Sequence, residues 1–340
     1  MNRLFASLLA VAMGMLVTLN IQPASLLSPT QAHAAAAVNR VDFPEKGKTL
    51  TLIVPSTAGG GTDIAARVLA PLLEKELGIS VQVVDKPGAG HQKGLTELVK
   101  SKPDGYTLGY AIIPTALTTY LDPERQAVYS RTDFTPIAVQ FDQGYVVGVH
   151  KDSPYKTLSD LAAAAKAKPD TIKDGTTGLM ASGHLSTLQF QKVAGVRFRL
   201  VHFDGSGPQI TALAGQHVDV IFTGQAEFLP LFKSGTLHAL ALLDKEEIPD
   251  FPGVKTAIEQ GYRVSHSVAG TICGPKGIPQ EVVEVLSTAA KKVITSDEHK
   301  RRMKELGFPV RYMSPQEAAS FWADTEEEIR PLVAEALRNK

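Results

Sequence analysis

The sequence predicts an α/β protein built from mostly parallel sheets that are flanked by helices. The main observation is the repeated order of strand, glycine-containing loop and helix along the chain. Strands that alternate with helices favour a parallel α/β sheet over an all-β fold or a helical bundle. The length of 340 residues predicts two domains, at about 150 residues per domain. Because no long Gly/Ser linker separates two halves, we expect the chain to cross between the domains through strands.

The first strand–helix–strand unit is the clearest part of this pattern. The β-branched run at residues 49–55 predicts a strand that ends at its proline. Apolar residues then recur with helical spacing over residues 64–77, which predicts a helix. Pro71 inside that helix predicts a kink or a local break. Residues 81–84 predict the second strand.

The alternation continues along the rest of the chain. Further strands are predicted over residues 107–112, 137–139, 146–150, 201–203, 218–222 and 268–272, and around residue 175. Further helices are predicted over residues 93–100, 158–168, 184–193, 209–214, 227–233, 280–294 and 315–337.

The first 34 residues have the order of a secretory signal. Arg3 is the only charged residue there, an apolar run follows at residues 4–17, and the segment ends in Ala32-His33-Ala34. We therefore predict a signal peptide at residues 1–34 and export of the protein to the periplasm. The alternative is a retained membrane anchor, but the apolar run is shorter than the roughly 20 residues that span a bilayer.

The composition excludes several classes of function. The 35 Lys and Arg residues balance the 35 Asp and Glu residues, whereas a nucleic-acid binder carries a strong basic excess. The single cysteine, Cys273, excludes an internal disulfide and a multi-thiolate metal site. The nine histidines lack metal-ligand spacing, and no G-x-S-x-G or H-E-x-x-H motif is present. We therefore predict no catalytic residues, no metal, no cofactor and no nucleic-acid partner.

Three loops between a strand and a helix are candidates for an anion site. Three successive glycines in the first loop allow the backbone to approach a ligand closely, and helix N-termini offer free N–H groups with a partial positive charge. The alternatives are a plain turn capped by Thr62 or Asp63, an ordinary exposed or core-edge role for His184, and a turn before Pro208. The predicted ligand-binding residues are Ser56, Thr57, Ala58, Gly59, Gly60, Gly61, Thr62, Asp63, Thr177, Gly178, Ser182, Gly183, His184, Phe203, Asp204, Gly205, Ser206 and Thr223.

Short strings spread over nearly the whole chain after residue 42 resemble a known family. They are FPEK (43–46), LIVP (52–55), AGGGTD (58–63), KPGAG (86–90), KPDGYTL (102–108), GSGP (205–208), ALAGQHVD (212–219), GTLHALA (235–241), GPKGIP (274–279) and LGF (306–308). With these strings the chain resembles the Bug family, the TctC-like substrate-binding proteins of tripartite tricarboxylate transporters.

The resemblance implies a two-domain periplasmic binding protein of type II-like architecture, with the ligand cleft between two hinge-closing domains. It implies capture of a di-, tri- or aromatic carboxylate and its delivery to the membrane permease subunits of the transporter. One carboxylate of the ligand would sit on the first loop, at residues 57–63, and the other end near Ser182 and Gly205. We place domain 1 at residues 37–143 and 266–340, and domain 2 at residues 144–265.

Some positions near the expected pocket depart from the family pattern, which leaves the distal group of the ligand open. They are Ser56, Thr57, His91, Asp204 and the pair Thr223-Gly224. Two other functions stay open from the sequence. One is a periplasmic sensor that presents a carboxylate to a membrane histidine kinase, and the other is a secreted hydrolase or lyase, for which no activated nucleophile is visible.

Overall fold

A computed structural model describes residues 42–338, so the predicted signal peptide lies outside the described residues. The described residues form ten strands and ten α-helices, which confirms the α/β class. Within this part of the chain, no helix is both long and apolar enough to cross a membrane.

The first strand–helix–strand unit forms as the sequence predicts. The β-branched run becomes β1 (Thr49–Val54), and the glycine loop leads into α1 (Gly61–Leu77). This helix continues through Pro71, so the predicted break does not occur. It ends at Gly78, whose φ of 68° is in the left-handed region that favours glycine. β2 (Ser80–Asp85) then pairs with β1 in parallel.

Three more elements complete the first group. They are α2 (Gln92–Val99), β3 (Thr107–Ile113) and α3 (Thr115–Leu121). β3 pairs with the other edge of β1 in parallel. The short helix α3 was not predicted from the sequence.

The longest strand, β4 (Phe134–His150), belongs to two groups of strands. Its first part pairs with β9 (Ser267–Pro275) and β10 (Val310–Met313), and its last part with β7 (Val220–Gly224) and β8 (Leu237–Leu243). All four pairings are antiparallel.

The sequence predicted two short strands at residues 137–139 and 146–150, where the structure has the continuous strand β4. The apolar pattern is interrupted by Gln140 and Gln143, which nevertheless are buried. Both amides have hydrogen-bond partners: Gln140 Nε2 donates to the Ala65 carbonyl (3.1 Å) and Gln143 Oε1 accepts from the Ala226 N–H (3.0 Å). Tertiary contacts thus satisfy polar residues that look like a strand break in the sequence.

The second group contains further strand–loop–helix units, and the chain then returns to the first group. The remaining elements are α4 (Leu158–Ala167), β5 (Lys173–Thr176), α5 (Ser182–Ala194), β6 (Arg199–His202), α6 (Ser206–Ala214), α7 (Gln225–Lys233), α8 (Gln280–Ile294), α9 (Asp297–Glu305) and α10 (Pro315–Arg338). β5 pairs in parallel with both β6 and β7.

The strand order is β2-β1-β3-β9-β4-β7-β5-β6, with β8 and β10 also paired to β4. The sheet is therefore mixed rather than mostly parallel: parallel pairs lie at both ends and antiparallel pairs in the middle. The physical reason is the path of the chain. β4 leads from the first group to the second, and β9 brings the chain back in the opposite direction.

The predicted domain boundaries, after residue 143 and after residue 265, fall within β4 and just before β9. At this level the Tyr145 N–H donates to the His266 carbonyl (3.1 Å), so the two crossing segments lie side by side. From Asp42 onward the chain forms one compact unit, and the boundaries of the two domains stay a prediction.

The largest apolar cluster packs helices onto the strands and holds the loops at the strand ends in place. Its buried members include Leu52, Leu69, Phe141, Phe222 and Leu286. Burying a side chain of this size stabilises the fold by about 1.5–3 kcal/mol. The strand ends from which the loops begin are therefore held in place by the packed core.

Candidate ligand-binding site

A small cavity of about 40 Å³ is enclosed by loops from both groups of strands. Seven of the predicted residues line it: Ser56, Thr62, Thr177, Ser182, Gly205, Ser206 and Thr223. Nine further residues complete the wall: His91, Ile112, Thr115, Phe141, Gln143, Tyr145, Gly224, Glu227 and Val268. The first turns of α1, α5, α6 and α7 all reach this cavity, so several helix N-termini point at one place.

The glycine loop before α1 is held by hydrogen bonds of its own. The Gly59 N–H donates to Asp63 Oδ2 (2.8 Å), and the Gly60 N–H donates to the Thr57 carbonyl (3.1 Å). Asp63 is also paired with Arg67, with 2.6 Å between Oδ1 and Nε. The Asp63 carboxylate thus stabilises the loop and is absent from the cavity wall. The N-cap of α1 is Gly60, not Thr62 or Asp63.

One N–H of this loop reaches across to the second group of strands. The Gly61 N–H donates to Ser206 Oγ at 3.3 Å. Gly61, Thr62 and Asp63 occupy the first turn of α1, where N–H groups have no intrahelical acceptor. Thr62 is the residue of this turn that lines the small cavity. Thr57, Ala58 and Gly59 line a larger cavity of about 800 Å³ on the other side of the loop.

The loop before α5 contacts the first group of strands through hydroxyl groups. Ser182 Oγ and Thr115 Oγ1 are 2.8 Å apart, and the Ser182 N–H donates to the same threonine oxygen (3.0 Å). Thr177 Oγ1 accepts from the Gly183 N–H (3.1 Å), so Gly183 supports the wall without lining it.

Gly178, Phe203 and Asp204 line a neighbouring open cavity of about 420 Å³ instead. Asp204 is exposed to solvent. Its charge is therefore screened, and it does not act inside the small cavity.

His184, a predicted ligand residue, is outside the small cavity. Its buried side chain accepts a hydrogen bond at Nδ1 from the Met180 N–H (2.9 Å) and lines a groove against α10. His184 follows Ser182 by two residues in α5, and two helical residues are about 200° apart around the axis. If Ser182 faces the cavity, His184 must face away from it.

Three buried polar atoms in the cavity wall have no hydrogen-bond partner within the described chain. They are Ser56 Oγ, His91 Nδ1 and Thr223 Oγ1. Buried polar atoms in proteins are nearly always hydrogen-bonded, and an orphan costs about 1–3 kcal/mol. Orphans from three separate loops that meet at one cavity indicate that a polar group from outside the chain satisfies them.

The electrostatics of the wall are unusual for an anion site. Burial and the nearby Arg125 guanidinium lower the pKa of His91 to about 4, so its imidazole is neutral at pH 7. Burial raises the pKa of Tyr145, which keeps the phenol neutral. No Lys or Arg is among the described residues that line the cavity. Any positive potential comes from helix N-termini and hydroxyl or N–H donors.

Glu227 is the acidic residue in this wall. Burial raises the pKa of its carboxyl. Gln143 Nε2 donates to Glu227 Oε2 (3.1 Å), and the Ser206 hydroxyl is a second hydrogen-bond partner. The carboxyl lies directly over Gly61, because a Cβ atom there would be only 1.9 Å from Glu227 Oε1.

Sequence reasoning missed several wall residues. Gln143 and Tyr145 are on β4, where nothing in the local pattern separates them from other strand residues. His91 was noticed only as a departure from the family pattern. Glu227 had a usable signal, since it is the third residue of a helix that follows a strand, the same position that made the other loops candidates.

Among residues 42–338, no group of three or more His, Cys, Asp and Glu side chains is arranged to hold a metal ion. Cys273 is buried in β9, and burial raises the pKa of its thiol. These groups offer no reactive centre near the cavity.

Comparisons with known proteins match this chain to a family model and to several solved structures. The family model described as "Tripartite tricarboxylate transporter family receptor" matches residues 65–337. The periplasmic binding protein BugD is 26% identical, with a TM-score of 0.79 over 86% of this chain and 98% of that chain.

Two similar structures contain a carboxylate. MatC from Rhodopseudomonas palustris with bound malate is 26% identical and has a TM-score of 0.80, covering 86% of this chain and all (100%) of that chain. A second R. palustris protein, with adipate, is 27% identical and has a TM-score of 0.78, covering 86% and 98%.

Proposed function

The chain belongs to the receptor family of the tripartite tricarboxylate transporters, and from this we propose that it captures a small carboxylate in the periplasm and delivers it to the membrane permease subunits of such a transporter. The resemblance carried by the sequence strings is thereby confirmed. Members of this family are solute-binding receptors, and we propose binding without catalysis for this chain as well.

The proposed location of the site rests on one observation. Orphaned polar atoms of Ser56, His91 and Thr223 meet at a cavity reached by the first turns of four helices. A carboxylate has two oxygens with about four lone-pair sites, so it can accept from hydroxyl, N–H and imidazole donors together. Charge-assisted hydrogen bonds of this kind are about twice as strong as neutral ones.

The related structures support the carboxylate class. Malate and adipate are present in two relatives of the same fold and similar length. They differ in chain length, so the family fold accepts carboxylates of more than one size. We infer from this that the first-loop donors take one carboxylate, and that wall residues particular to this chain select the rest of the ligand.

Binding requires the cleft to open. A cavity of about 40 Å³ is far smaller than the roughly 300–1,000 Å³ of typical ligand pockets. We propose that the two groups of strands separate by bending where β4 and the segment before β9 cross, and close again on the ligand.

Thermal-shift screening tests the function directly. The protein without residues 1–34 is heated with succinate, malate, adipate, citrate and benzoate, each matched with its neutral amide as a control. A ligand at 100 times its Kd stabilises the folded protein by about 2.7 kcal/mol, which raises the unfolding temperature by roughly 5 °C for a chain of this size. The proposal is wrong if no carboxylate stabilises the protein while sugars or amines do.

A further inference from the structure

The carboxyl group of Glu227 lies in the cavity where a negatively charged ligand is expected. It projects from the first turn of α7, is held by Gln143 and Ser206, and lies over Gly61 at the start of α1. No ion pair involves Glu227 among the described residues, and no Lys or Arg lines the cavity to neutralise it. A buried acid in an anion-binding cleft needs an explanation beyond capping of its helix.

The position of Glu227 is fixed by both of its neighbours. The Gln143 amide bridges two groups of α7, because its Oε1 accepts from the Ala226 N–H (3.0 Å) while its Nε2 donates to Glu227 (3.1 Å). The absence of a side chain at Gly61 provides the space for the carboxyl. The acid is therefore a rigid part of the wall and not a mobile surface group.

A cavity wall with a fixed carboxyl group discriminates between ligands by their charge. A dicarboxylate that fills the cleft would bring its second carboxylate close to Glu227 in a buried setting without a compensating cation. Like charges that share a buried site repel strongly, and one of them must take up a proton. A ligand with a protonated amine at that end would instead form a charge-assisted hydrogen bond with Glu227. The same acid thus rejects one class and attracts the other.

We propose that Glu227 is the specificity-determining residue of this site and selects carboxylates that carry an ammonium group, as amino acids do, over dicarboxylates of the same length. This inference rests on the proposed function, since it assumes that the rest of the cleft binds a carboxylate.

Matched ligand pairs test the inference. Succinate and 4-aminobutanoate have the same chain length and differ in the charge of one end, and adipate and 6-aminohexanoate form a longer pair. Titration calorimetry at pH 7 gives the affinity ratio within each pair. We expect the wild-type protein to bind the amino acid at least tenfold more tightly than the dicarboxylate in at least one pair.

Two substitutions separate the role of Glu227 from that of other acids. Glu227→Gln retains the shape and the hydrogen bond from Gln143, so we expect it to shift the ratio by at least tenfold towards the dicarboxylate. Asp204→Asn removes an exposed acid outside the cavity wall and should leave the ratio within about twofold. An unchanged ratio in Glu227→Gln, or a wild-type preference for the dicarboxylate, overturns the inference.

Butanoate, acetate and benzoate distinguish this failure from failure of the proposed function. If these monocarboxylates bind but position 227 has no effect on the ratio, only the inference is wrong. If no carboxylate of any kind binds, both are wrong. Even if the Glu227→Gln protein does not fold, a wild-type preference for the dicarboxylate overturns the inference.

Discussion

The Ser56 hydroxyl forms no hydrogen bond that would stabilise the free protein, and we propose that it binds the ligand instead. Its hydroxyl is buried in the cavity wall and has no partner within the described chain. A residue kept only for stability would normally satisfy its own polar atom. The same reasoning applies to Thr223, whose hydroxyl is also orphaned.

Replacing Ser56 by alanine should therefore weaken binding without destabilising the fold. A hydrogen bond to a charged group contributes about 1.5–3 kcal/mol, so we expect carboxylate affinity to fall by about tenfold to a hundredfold. The unfolding temperature without ligand should not decrease. Ser287→Ala on the exposed face of α8 is the control. Equal carboxylate affinities for Ser56→Ala and the wild type would contradict this reading of the cavity.

Asp174 makes a separate prediction about stability and pH. It is fully buried in β5, where Thr187 Oγ1 donates to its Oδ2 (2.6 Å), and burial raises the pKa of its carboxyl well above 3.8. Between the unfolded and the raised folded pKa, the folded protein holds a proton that the unfolded chain has released. Stability therefore falls as pH rises from about 4 through the folded pKa.

The variant Asp174→Asn cannot release this proton. We expect its unfolding temperature, relative to wild type, to rise by about 2 °C or more between pH 4.5 and pH 8, measured by calorimetry. Asp160→Asn is the control: hydrogen bonds from Lys156 and Thr157 lower the pKa of the exposed Asp160 carboxyl below 3.8, so it titrates below this pH range and its unfolding temperature relative to wild type should stay constant. An identical pH dependence in wild type and Asp174→Asn would show that Asp174 does not contribute.

For single residues, the sequence predicted which residues lie near the cavity better than which way their side chains point. Ser56, Ser206 and Thr223 were expected at the ligand and do line the cavity, since they directly follow strands or begin helices. His184 was placed correctly in its helix but lies outside this cavity, because no local signal tells which face of a short helix turns toward a loop on another part of the chain.

Helices and strands were predicted correctly where their own local sequence determines the structure. They were missed or divided where contacts with distant residues determine it. β1 and α1 have strong β-branched and periodic patterns, and both formed close to the predicted bounds. β4 was divided in two, since the partners of its buried glutamines come from α1 and α7. α9 was missed because its sequence, DEHKRRMKE, is almost entirely polar and is helical through capping by Ser296 and two ion pairs of its own.

The start of α1 provides a test at the level of an element. A methyl group at Gly61 would be 1.9 Å from Glu227 Oε1, so Gly61→Ala must displace this carboxyl or hold the cleft apart. We expect at least a tenfold loss of ligand affinity with an unchanged circular dichroism spectrum. Gly207→Ala is the matched control in the same cleft, since its methyl group would meet no atom closer than 3.8 Å. If both variants bind alike, the contact between α1 and Glu227 is unimportant for binding.

In the structure, the two groups of strands contact each other across the cleft. Gly61 with Ser206 and Thr115 with Ser182 form hydrogen bonds between them, and the Arg125 guanidinium donates to the Leu179 carbonyl (3.0 Å). We expect each of these contacts to break when the cleft opens in the proposed motion.

A reversible crosslink across the cleft tests this proposed motion. Gly60 has an extended backbone (φ −77°, ψ 163°) that any residue can adopt, and a Cβ atom there would be 3.1 Å from the Thr57 carbonyl and 3.4 Å from Ser206 Oγ. The Ser206 side chain therefore points towards position 60, as a disulfide between the two positions requires. The native Cys273 is buried and does not compete.

We expect the double variant Gly60→Cys with Ser206→Cys to lose carboxylate binding when oxidised, because a closed cavity of about 40 Å³ admits no carboxylate. Dithiothreitol should restore binding in the same sample, which controls for any direct effect of the substitutions. Each single variant should be insensitive to the oxidant. An oxidised double variant that binds as tightly as its reduced form would mean that the ligand enters without separation of the two groups of strands, and that the cleft is not the route to the site.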